Sequence, residues 1–303
     1  MAIDRLTLPE PLDVLEPTAR ARLRGRLFKH TSLVFGLGIV VIIAVIALSA
    51  PLIAPHDPYA QDLARRTIPP VWYARGSWDH IFGTDNLGRD YFSRTLYGAR
   101  ISLLIGVSVM LISGAIGTTM GLLAGYFGGK VDLAVTFLVT TRLAMPVILV
   151  ALAVVALLGG SLTVVILTLG LLKWDRFAVV MRSATQQVRS LDYVAAAQAA
   201  GASTWRIVTR EVLPNIAPYL IVTATLEAAS AILLEAALSF LGLGVQPPLP
   251  SWGLMISESK AYMFFSFWLI AIPGGALALL IFAINLAGDG LRDAIAPDGR
   301  AGQ

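Results

Sequence analysis

The chain has 303 residues, of which 56% are hydrophobic and only 14% charged, so an ordinary soluble domain is excluded and a polytopic membrane protein is indicated. It contains no cysteine, which excludes disulfide and thiolate chemistry. The net charge of +4 indicates basic residues beside the cytoplasmic leaflet of a lipid bilayer, and not a nucleic-acid partner.

Six apolar segments are candidates to cross the roughly 30 Å of hydrocarbon in a bilayer. In chain order, the predicted transmembrane helices are residues 32–54, 101–126, 135–158, 162–177, 216–241 and 267–287. Gly159, Gly160 and Ser161 supply the break between the third and the fourth. Continuous apolar runs favour helices over a β-barrel, whose strands alternate in polarity. The sequence therefore predicts an all-α membrane protein with six transmembrane helices.

Basic residues near the first predicted helix set the orientation. Five cations and no acid lie between Arg20 and Lys29, which predicts a cytoplasmic N-terminus, and six crossings return the C-terminus to the same side. The predicted organisation is a cytoplasmic segment (1–31), a first transmembrane helix (32–54), an extracytoplasmic loop (55–100), a five-helix core (101–290) and a cytoplasmic tail (291–303).

Small residues recur in the second predicted helix. They are Gly106, Gly114, Gly117 and Gly121. Such spacing lets two helix backbones approach closely, either within one subunit or between subunits.

The polar stretch from Asp192 to Asn215 lies on the cytoplasmic side, within a predicted loop at residues 187–215. It begins with an alanine-rich helical turn, continues through Gly201 into a second helical stretch, and ends in Leu213-Pro214-Asn215 beside the fifth transmembrane helix. A helical loop that is hinged at one glycine and joined stiffly to a transmembrane helix can transmit force from a partner. The sequence therefore predicts a coupling element here.

Two acidic residues, Glu227 and Glu235, fall within the fifth predicted helix and are the pathway candidates. A charge at mid-bilayer costs about 2.5–3.5 kcal/mol on insertion scales, so such residues normally face a cavity or a partner. We expect Glu227 to line a pathway or to bond between helices. Glu235 is nearer the outer face, where holding the following loop is the favoured role. Arg142 is expected to snorkel to the lipid headgroups.

Two outer segments have unusual composition. Asp85, Arg89 and Asp90 lie in a glycine-rich stretch before the second helix, and Trp252 closes the proline-rich stretch 241–253. The proline-rich stretch suits a rigid loop against the membrane face. These four residues are candidates for contact with an external partner; the alternative for Trp252 is simple anchoring at the membrane interface.

Catalytic and metal-binding motifs are not recognisable in the sequence. The glycine-rich segment Ala124–Val131 lacks the leading glycine and the Ser or Thr after lysine that a phosphate-binding loop requires. His30, His56 and His80 lie outside the predicted helices, and their spacing is not that of metal ligands. The chain is therefore predicted not to be an enzyme and to hold no metal, and any ATP that it uses must bind to another chain.

Several short motifs, in this order and spacing, carry a family resemblance. They include Gly83-Thr84-Asp85, Gly88-Arg89-Asp90, Leu213-Pro214-Asn215, Leu238 to Gly244, Ser251-Trp252-Gly253 and Gly288-Asp289-Gly290. From Phe28 to Pro297 the chain resembles the inner-membrane permease subunits of binding-protein-dependent ABC importers, in particular the C-type subunit of dipeptide, oligopeptide and nickel systems.

The resemblance implies a type I ABC importer permease fold with cytoplasmic termini, in the inner membrane of a prokaryote. It implies a homologous second permease subunit, two cytoplasmic ATP-binding subunits that bind ATP and Mg²⁺, and an extracytoplasmic substrate-binding protein. This chain itself would hold no cofactor. The implied substrates are di- to oligopeptides, with nickel chelates or other small solutes as the alternative. An ion-coupled secondary transporter is the rival class.

The resemblance also assigns the contact with the ATP-binding subunit to coupling helices within residues 190–207 and to the start of the next helix. The contact candidates are Asp192, Tyr193, Ala195, Ala196, Ala197, Gly201, Leu213 and Pro214. Ala195 stands where the family pattern has a glutamate, and Glu211 stands where it has an isoleucine. Ala195 therefore lacks a carboxylate that could pair with the ATP-binding subunit.

Overall fold

A computed structural model describes residues 30–295, which are largely helical and contain no β-strand. The α-helices are α1 (Thr31–Ile53), α2 (Tyr91–Phe127), α3 (Gly129–Leu143), α4 (Val147–Leu158), α5 (Leu162–Leu172), α6 (Asp175–Arg189), α7 (Asp192–Ala199), α8 (Thr204–Ile207), α9 (Leu213–Phe240), α10 (Trp252–Glu258) and α11 (Trp268–Ile295). Residues 1–29 of the predicted cytoplasmic segment and 296–303 of the predicted tail lie outside this range.

Four helical runs in the described range are long and apolar enough to cross a membrane. They are α1, α2, the run Thr204–Phe240 that joins α8 to α9, and Trp268–Ala294 within α11. A fifth is counted if the bent pair of α3 and α4 forms one span. The described residues therefore contain four or five candidate spans, where the sequence analysis predicts six.

The third predicted helix, residues 135–158, is not continuous. α3 ends at Leu143 and α4 begins at Val147, and the two axes differ by 80°. Pro146 lies at the break; it has no N–H to donate to the preceding turn, and its ring disfavours a helical conformation for the residue before it. Hydropathy does not register this break because the chain stays apolar on both sides.

The fourth predicted helix, residues 162–177, is also wrong in extent. α5 has only 11 residues. At 1.5 Å per residue it is about 16 Å long, well short of a bilayer core. It ends at Leu172, and the separate helix α6 begins at Asp175. The polar side chains that interrupt the apolar run thus lie at a helix junction.

The second predicted helix begins earlier than expected. α2 begins at Tyr91, ten residues before the predicted start, so the connection after α1 ends at Asp90 and not at residue 100. The cause is a capping bond, because the Asp90 carboxylate accepts a hydrogen bond from the Ser93 N–H at 2.8 Å. The remaining long helices begin and end close to their predicted positions, except that α11 continues to Ile295.

Glycines allow α2 to pack directly on α6. A Cβ on Gly117 would lie 2.2 Å from the Trp174 carbonyl oxygen, and one on Gly121 would lie 2.5 Å from that of Ala178. The two backbones are therefore in contact along these turns, as the glycine spacing predicts. The partner helix belongs to the same chain, which is the first of the two alternatives left open by the sequence.

Candidate functional site

A cavity of about 520 Å³ opens where α3 and α4 are separated by their bend. Its walls are the α3–α4 break, the junction between α5 and α6, and the middle of α9. The two helix breaks that are absent from the six predicted helices are therefore the elements that form this cavity. The side chains that line it include five charged residues: Arg142, Lys173, Asp175, Arg176 and Glu227.

Glu227 is the acidic centre of the cavity. It is buried, and its carboxylate oxygens lie 2.8 Å from Lys173 Nζ and 3.1 Å from Arg176 Nη1. Lys173 Nζ also donates to the Ser230 hydroxyl at 2.8 Å. Glu227 is near the midpoint of α9, about 20 Å from each end at 1.5 Å per residue. The carboxylate thus joins α9 to the α5–α6 junction deep within the span.

Arg142 does not snorkel, which corrects the sequence prediction. Its side chain is only 13% exposed, and its Nη2 lies 3.7 Å from Asp175 Oδ1. Its Nε donates to the Leu172 carbonyl oxygen. That carbonyl is free because α5 ends there, so the short helix supplies an acceptor that a continuous one would have used internally.

The cavity carries an excess of positive charge. Three cations and two carboxylates line it, which leaves a formal charge of +1. The side chain of Arg176 is 60% exposed, whereas that of Lys173 is 10% exposed. Arg176 is therefore the cation that can reach a negatively charged group entering the cavity. Lys173 and Arg176 are not among the site residues predicted from the sequence. Their position at the end of an apolar run could have indicated a site, because charged residues are rare within membrane spans.

Glu235 has a different environment from Glu227. It is fully buried and accepts hydrogen bonds from the Ser239 hydroxyl at 2.7 Å and the Ser251 hydroxyl at 2.9 Å. The Ser251 hydroxyl also accepts from the Leu254 N–H, which caps α10. This geometry ties the loop after α9 to the helix, and Glu235 does not line the cavity.

Asp85 and Arg89 are held inside a buried ion-pair network and do not face outward. Arg89 Nε lies 2.6 Å from Asp85, and its Nη2 lies 3.0 Å from Glu258 of α10. Arg94 of α2 reaches the same Glu258 oxygen at 2.9 Å. These side chains join the outer loop to α2 and α10, and contacts within the chain bury them.

Asp90 and Trp252 are likewise only 3% exposed each. The Trp252 indole N–H donates to the Thr95 carbonyl oxygen at 3.0 Å, and a Cβ on Gly98 would lie 2.7 Å from the Trp252 ring. Trp252 therefore packs against α2, and it neither anchors at the membrane surface nor presents a face to a partner. All four predicted external contact residues are thus buried in contacts within the chain.

The polar stretch after α6 folds as helix, glycine, helix. α7 ends in a Schellman motif, in which the Gly201 N–H donates to Gln198 and the Ala202 N–H donates to Ala197. Gly201 has the positive φ of +75° that this motif requires. A single π turn, Val208–Val212, then joins α8 to α9 without a break. α8 and the long helix α9 are therefore one continuous helical run.

The predicted coupling residues form a largely exposed surface. Asp192, Tyr193, Ala195, Ala196, Gly201 and Pro214 are exposed, whereas Ala197 and Leu213 are half-buried. Val194 and Ile207 are buried against α6 and hold α7 and α8 in place. A second cavity, of about 310 Å³, lies between Gly201, Arg206 and Glu211.

One cluster was missed entirely by the sequence analysis. The spacing of His56 and His80 in the chain is not that of metal ligands, so the sequence predicts no metal site. In the fold their ring centroids are 4.8 Å apart, and Asp90 lies beside both. No local sequence signal could have revealed this grouping, because it depends on how the outer loop folds over the start of α2.

Comparison with known proteins identifies the class. The model of the family "Binding-protein-dependent transport system inner membrane component" matches residues 117–300, which is more than half of the chain. The model of the "N-terminal TM domain of oligopeptide transport permease C" matches residues 19–70. The chain therefore belongs to the family of inner-membrane components of binding-protein-dependent transport systems, as the sequence motifs predict.

Two individual relatives are similar to this chain over most of its length. The chain is 40% identical over 262 residues to the dipeptide transport system permease protein DppC of Haemophilus influenzae, covering 86% of this chain and 89% of the relative. It is 43% identical over 262 residues to the di/tripeptide transport system permease protein DppC of Pseudomonas aeruginosa, covering 86% of each.

A solved structure of the inward-facing MetNI methionine ABC transporter has the same fold. It superposes with a TM-score of 0.56 at 19% identity and covers 68% of this chain and 98% of that chain. At this identity the likeness concerns the fold alone, and it supports the type I ABC importer permease architecture.

Proposed function

We propose that this chain is the permease subunit of an ATP-driven importer that carries di- to oligopeptides across the inner membrane. The observation that carries the proposal is the unbroken helical run Thr204–Phe240. Its cytoplasmic end is exposed, and its middle places Glu227 in the wall of the cavity. One rigid element thus connects a docking surface to a transport pathway.

The proposed coupling acts along this run. α7 and α8 rest on a cytoplasmic ATP-binding subunit, and the proposal places the site for ATP and Mg²⁺ on that subunit. When two such subunits close, they displace α8, and Pro214 at the start of α9 passes the motion on. Thr204 and Glu227 are separated by about 35 Å of helix at 1.5 Å per residue. In this proposal, tilting of the helical run Thr204–Phe240 opens and closes the cavity on alternate sides of the membrane.

The cavity is suited to a peptide by size and charge. Its volume of about 520 Å³ falls in the range of ligand pockets, about 300–1,000 Å³. The exposed guanidinium of Arg176 offers paired donors to a peptide carboxylate. Glu227 offers a carboxylate to a peptide ammonium group when Lys173 turns away. The names of the relatives given above support the same substrate class.

A complete pathway needs partners. In this proposal a homologous second permease subunit supplies the opposite wall of the pathway. An extracytoplasmic substrate-binding protein delivers the peptide. The two ATP-binding subunits complete the assembly on the cytoplasmic side.

We also propose six crossings with both termini in the cytoplasm. The bent pair α3–α4 makes one crossing, and α5 together with the first part of α6 makes the next. Because the chain has no cysteine, single cysteines can report each side with a membrane-impermeant maleimide. Cysteines at Trp78 and Leu158 should be labelled in intact cells, and one at Ser190 only after permeabilisation. Equal labelling at Leu158 and Ser190 would contradict the topology.

The function is tested by purification and reconstitution. The tagged chain is purified in mild detergent, co-purifying subunits are identified by mass spectrometry, and the complex is placed in liposomes with its binding protein. We expect ATP-binding subunits and a second permease to co-purify, and labelled dipeptide uptake to require ATP hydrolysis. A chain that purifies alone and conducts solute without ATP would overturn the proposal.

A further inference from the structure

We propose that His56, His80 and Asp90 form a binding site for a divalent transition metal ion, with Zn²⁺ as the probe. One ligand atom from each residue lies within 4.8 Å of the other two. His80 Nδ1 is 2.9 Å from Asp90 Oδ1, and His56 Nδ1 is 3.8 Å from the same oxygen. Ligands of a tetrahedral zinc ion are about 3.4 Å apart, so side-chain shifts of about an ångström complete the site.

His56 Nδ1 is the observation that points to a missing ligand. This nitrogen is buried and has no hydrogen-bond partner. Buried polar atoms are normally paired, so an unpaired nitrogen facing a buried carboxylate needs an explanation. A cation between His56 and Asp90 would give His56 Nδ1 the partner that it lacks.

The surrounding groups hold the three ligands in orientation. Asp90 caps α2 with its other oxygen, Oδ2, through the Ser93 N–H, so an ion at Oδ1 would displace only the contact with His80 Nδ1 at 2.9 Å and not the helix cap. The Ser93 hydroxyl in turn accepts a hydrogen bond from the backbone N–H of His56 at 3.3 Å. One short segment at the start of α2 therefore fixes both the carboxylate and the backbone of a histidine.

Asp79 lies behind both rings. His56 Nε2 is 3.5 Å from Asp79 Oδ1, and His80 Nε2 is 3.7 Å from Asp79 Oδ2. Arg65 Nη1 holds this carboxylate at 2.7 Å. A histidine that binds a metal through one nitrogen usually donates the other N–H to a carboxylate, which fixes its tautomer. Metal binding needs His80 Nδ1 unprotonated, and the proton then resides on Nε2, facing Asp79.

The donor set selects the class of metal. Two neutral imidazoles and one carboxylate suit Zn²⁺ and its neighbours, and are poor ligands for Mg²⁺ or Ca²⁺, which prefer oxygen. The His56 side chain is 34% exposed, so the fourth position is open to water on that side. The ion would fasten the segment after α1 to the start of α2, on the outer part of the chain and away from the transport cavity.

The test measures Zn²⁺ binding to the full-length chain with its accompanying subunits. The affinity tag must not be polyhistidine, and the protein is stripped with EDTA before calorimetric titration. We expect the wild type to bind one more Zn²⁺ per chain than His56→Ala. His30→Ala is the matched control, because it removes a histidine at the other end of α1, and it should bind as the wild type does.

Two further measurements complete the test. Asp79→Asn removes no ligand, so it should keep the stoichiometry while weakening Zn²⁺ affinity by about 10–100-fold. Bound Co²⁺ should give visible absorption in the wild type and lose it in His56→Ala. Equal Zn²⁺ stoichiometry in the wild type and His56→Ala, or no binding by the wild type, would overturn the site and leave a hydrogen-bonded cluster.

Discussion

Two carboxylates in this protein each pair with two cations. Glu227 pairs with Lys173 and Arg176, and Glu258 pairs with Arg89 and Arg94. Removing one member of a buried pair leaves an uncompensated charge, which costs about 3–5 kcal/mol. Replacing both members is far less harmful because no charge is then left alone.

The Glu227 contact predicts a measurable coupling. Glu227→Gln should lower the melting temperature of the purified protein because Lys173, only 10% exposed, loses its counter-ion. The double variant with Lys173→Gln should recover part of that loss. Arg176→Gln should change stability by about 1 kcal/mol or less because its side chain is 60% exposed. Additive losses in the double variant would refute the pairing.

The Glu258 network predicts a larger loss. Glu258→Gln keeps the shape of the side chain but leaves Arg89 and Arg94, with side chains 3% and 0% exposed, facing only Asp85. We expect destabilisation of about 3–5 kcal/mol, read as the midpoint of thermal unfolding in detergent.

An exposed acid provides the control for this change. Asp62 pairs with Arg65, and both side chains are about half exposed, at 51% and 54%. Asp62→Asn should therefore shift the midpoint little, by about 1 kcal/mol or less. Similar midpoints for Glu258→Gln and Asp62→Asn would show that the buried network contributes no more than a surface pair.

At the scale of elements, the backbones of α2 and α6 are in direct contact. Gly117→Ala places a Cβ 2.2 Å from the Trp174 carbonyl oxygen and 2.5 Å from Phe177 Cβ, so the backbones must separate. Such overpacking costs about 1–3 kcal/mol. Gly274→Ala in α11 is the control, because nothing lies within 4 Å of its added Cβ. Thermal unfolding should separate the two variants, and equal midpoints would contradict this helix contact.

The helix bounds show where local signals suffice. α1 follows its predicted limits to within one residue, because a single uninterrupted apolar run sets both ends. The break at Pro146 is signalled locally by the proline itself, but the bend of 80° is seen only in the folded chain. The early start of α2 was also signalled locally, by the capping residue Asp90, and was missed because hydropathy gives such a cap no weight.

At the scale of the whole molecule, Gly201 tests the proposed coupling. Its positive φ is closed to proline, and its N–H donates to Gln198 at 3.0 Å, so Gly201→Pro should disrupt the end of α7. We expect ATP-driven peptide uptake to be abolished while the affinity for the binding protein is kept. Uptake in proteoliposomes and binding-protein titration measure the two effects.

Gly159 provides a closely matched control. It also has a positive φ, its N–H donates to Val155 at 2.9 Å, and no atom lies within 4 Å of a Cβ added at either glycine. Gly159→Pro therefore carries a similar backbone penalty at the α4–α5 turn, outside the coupling helices. We expect it to retain ATP-driven uptake. Full uptake by Gly201→Pro, or equal loss in both variants, would refute a specific coupling role.

The sequence by itself determined the membrane class, the family and the helix–glycine–helix form of the coupling segment. Each of these rests on properties of neighbouring residues: hydropathy along the chain, short motifs in a fixed order, and a glycine that must adopt positive φ.

Only the tertiary structure decided which charges meet. Glu227 and Arg176 are 51 residues apart in the chain, and Arg89 and Glu258 are 169 apart. The grouping of His56 with His80 and Asp90 likewise arises only when the outer loop folds onto α2. A side chain's partners depend on how helices cross and where they break, and no local pattern specifies either, so the cavity and the histidine cluster became visible only in the folded chain.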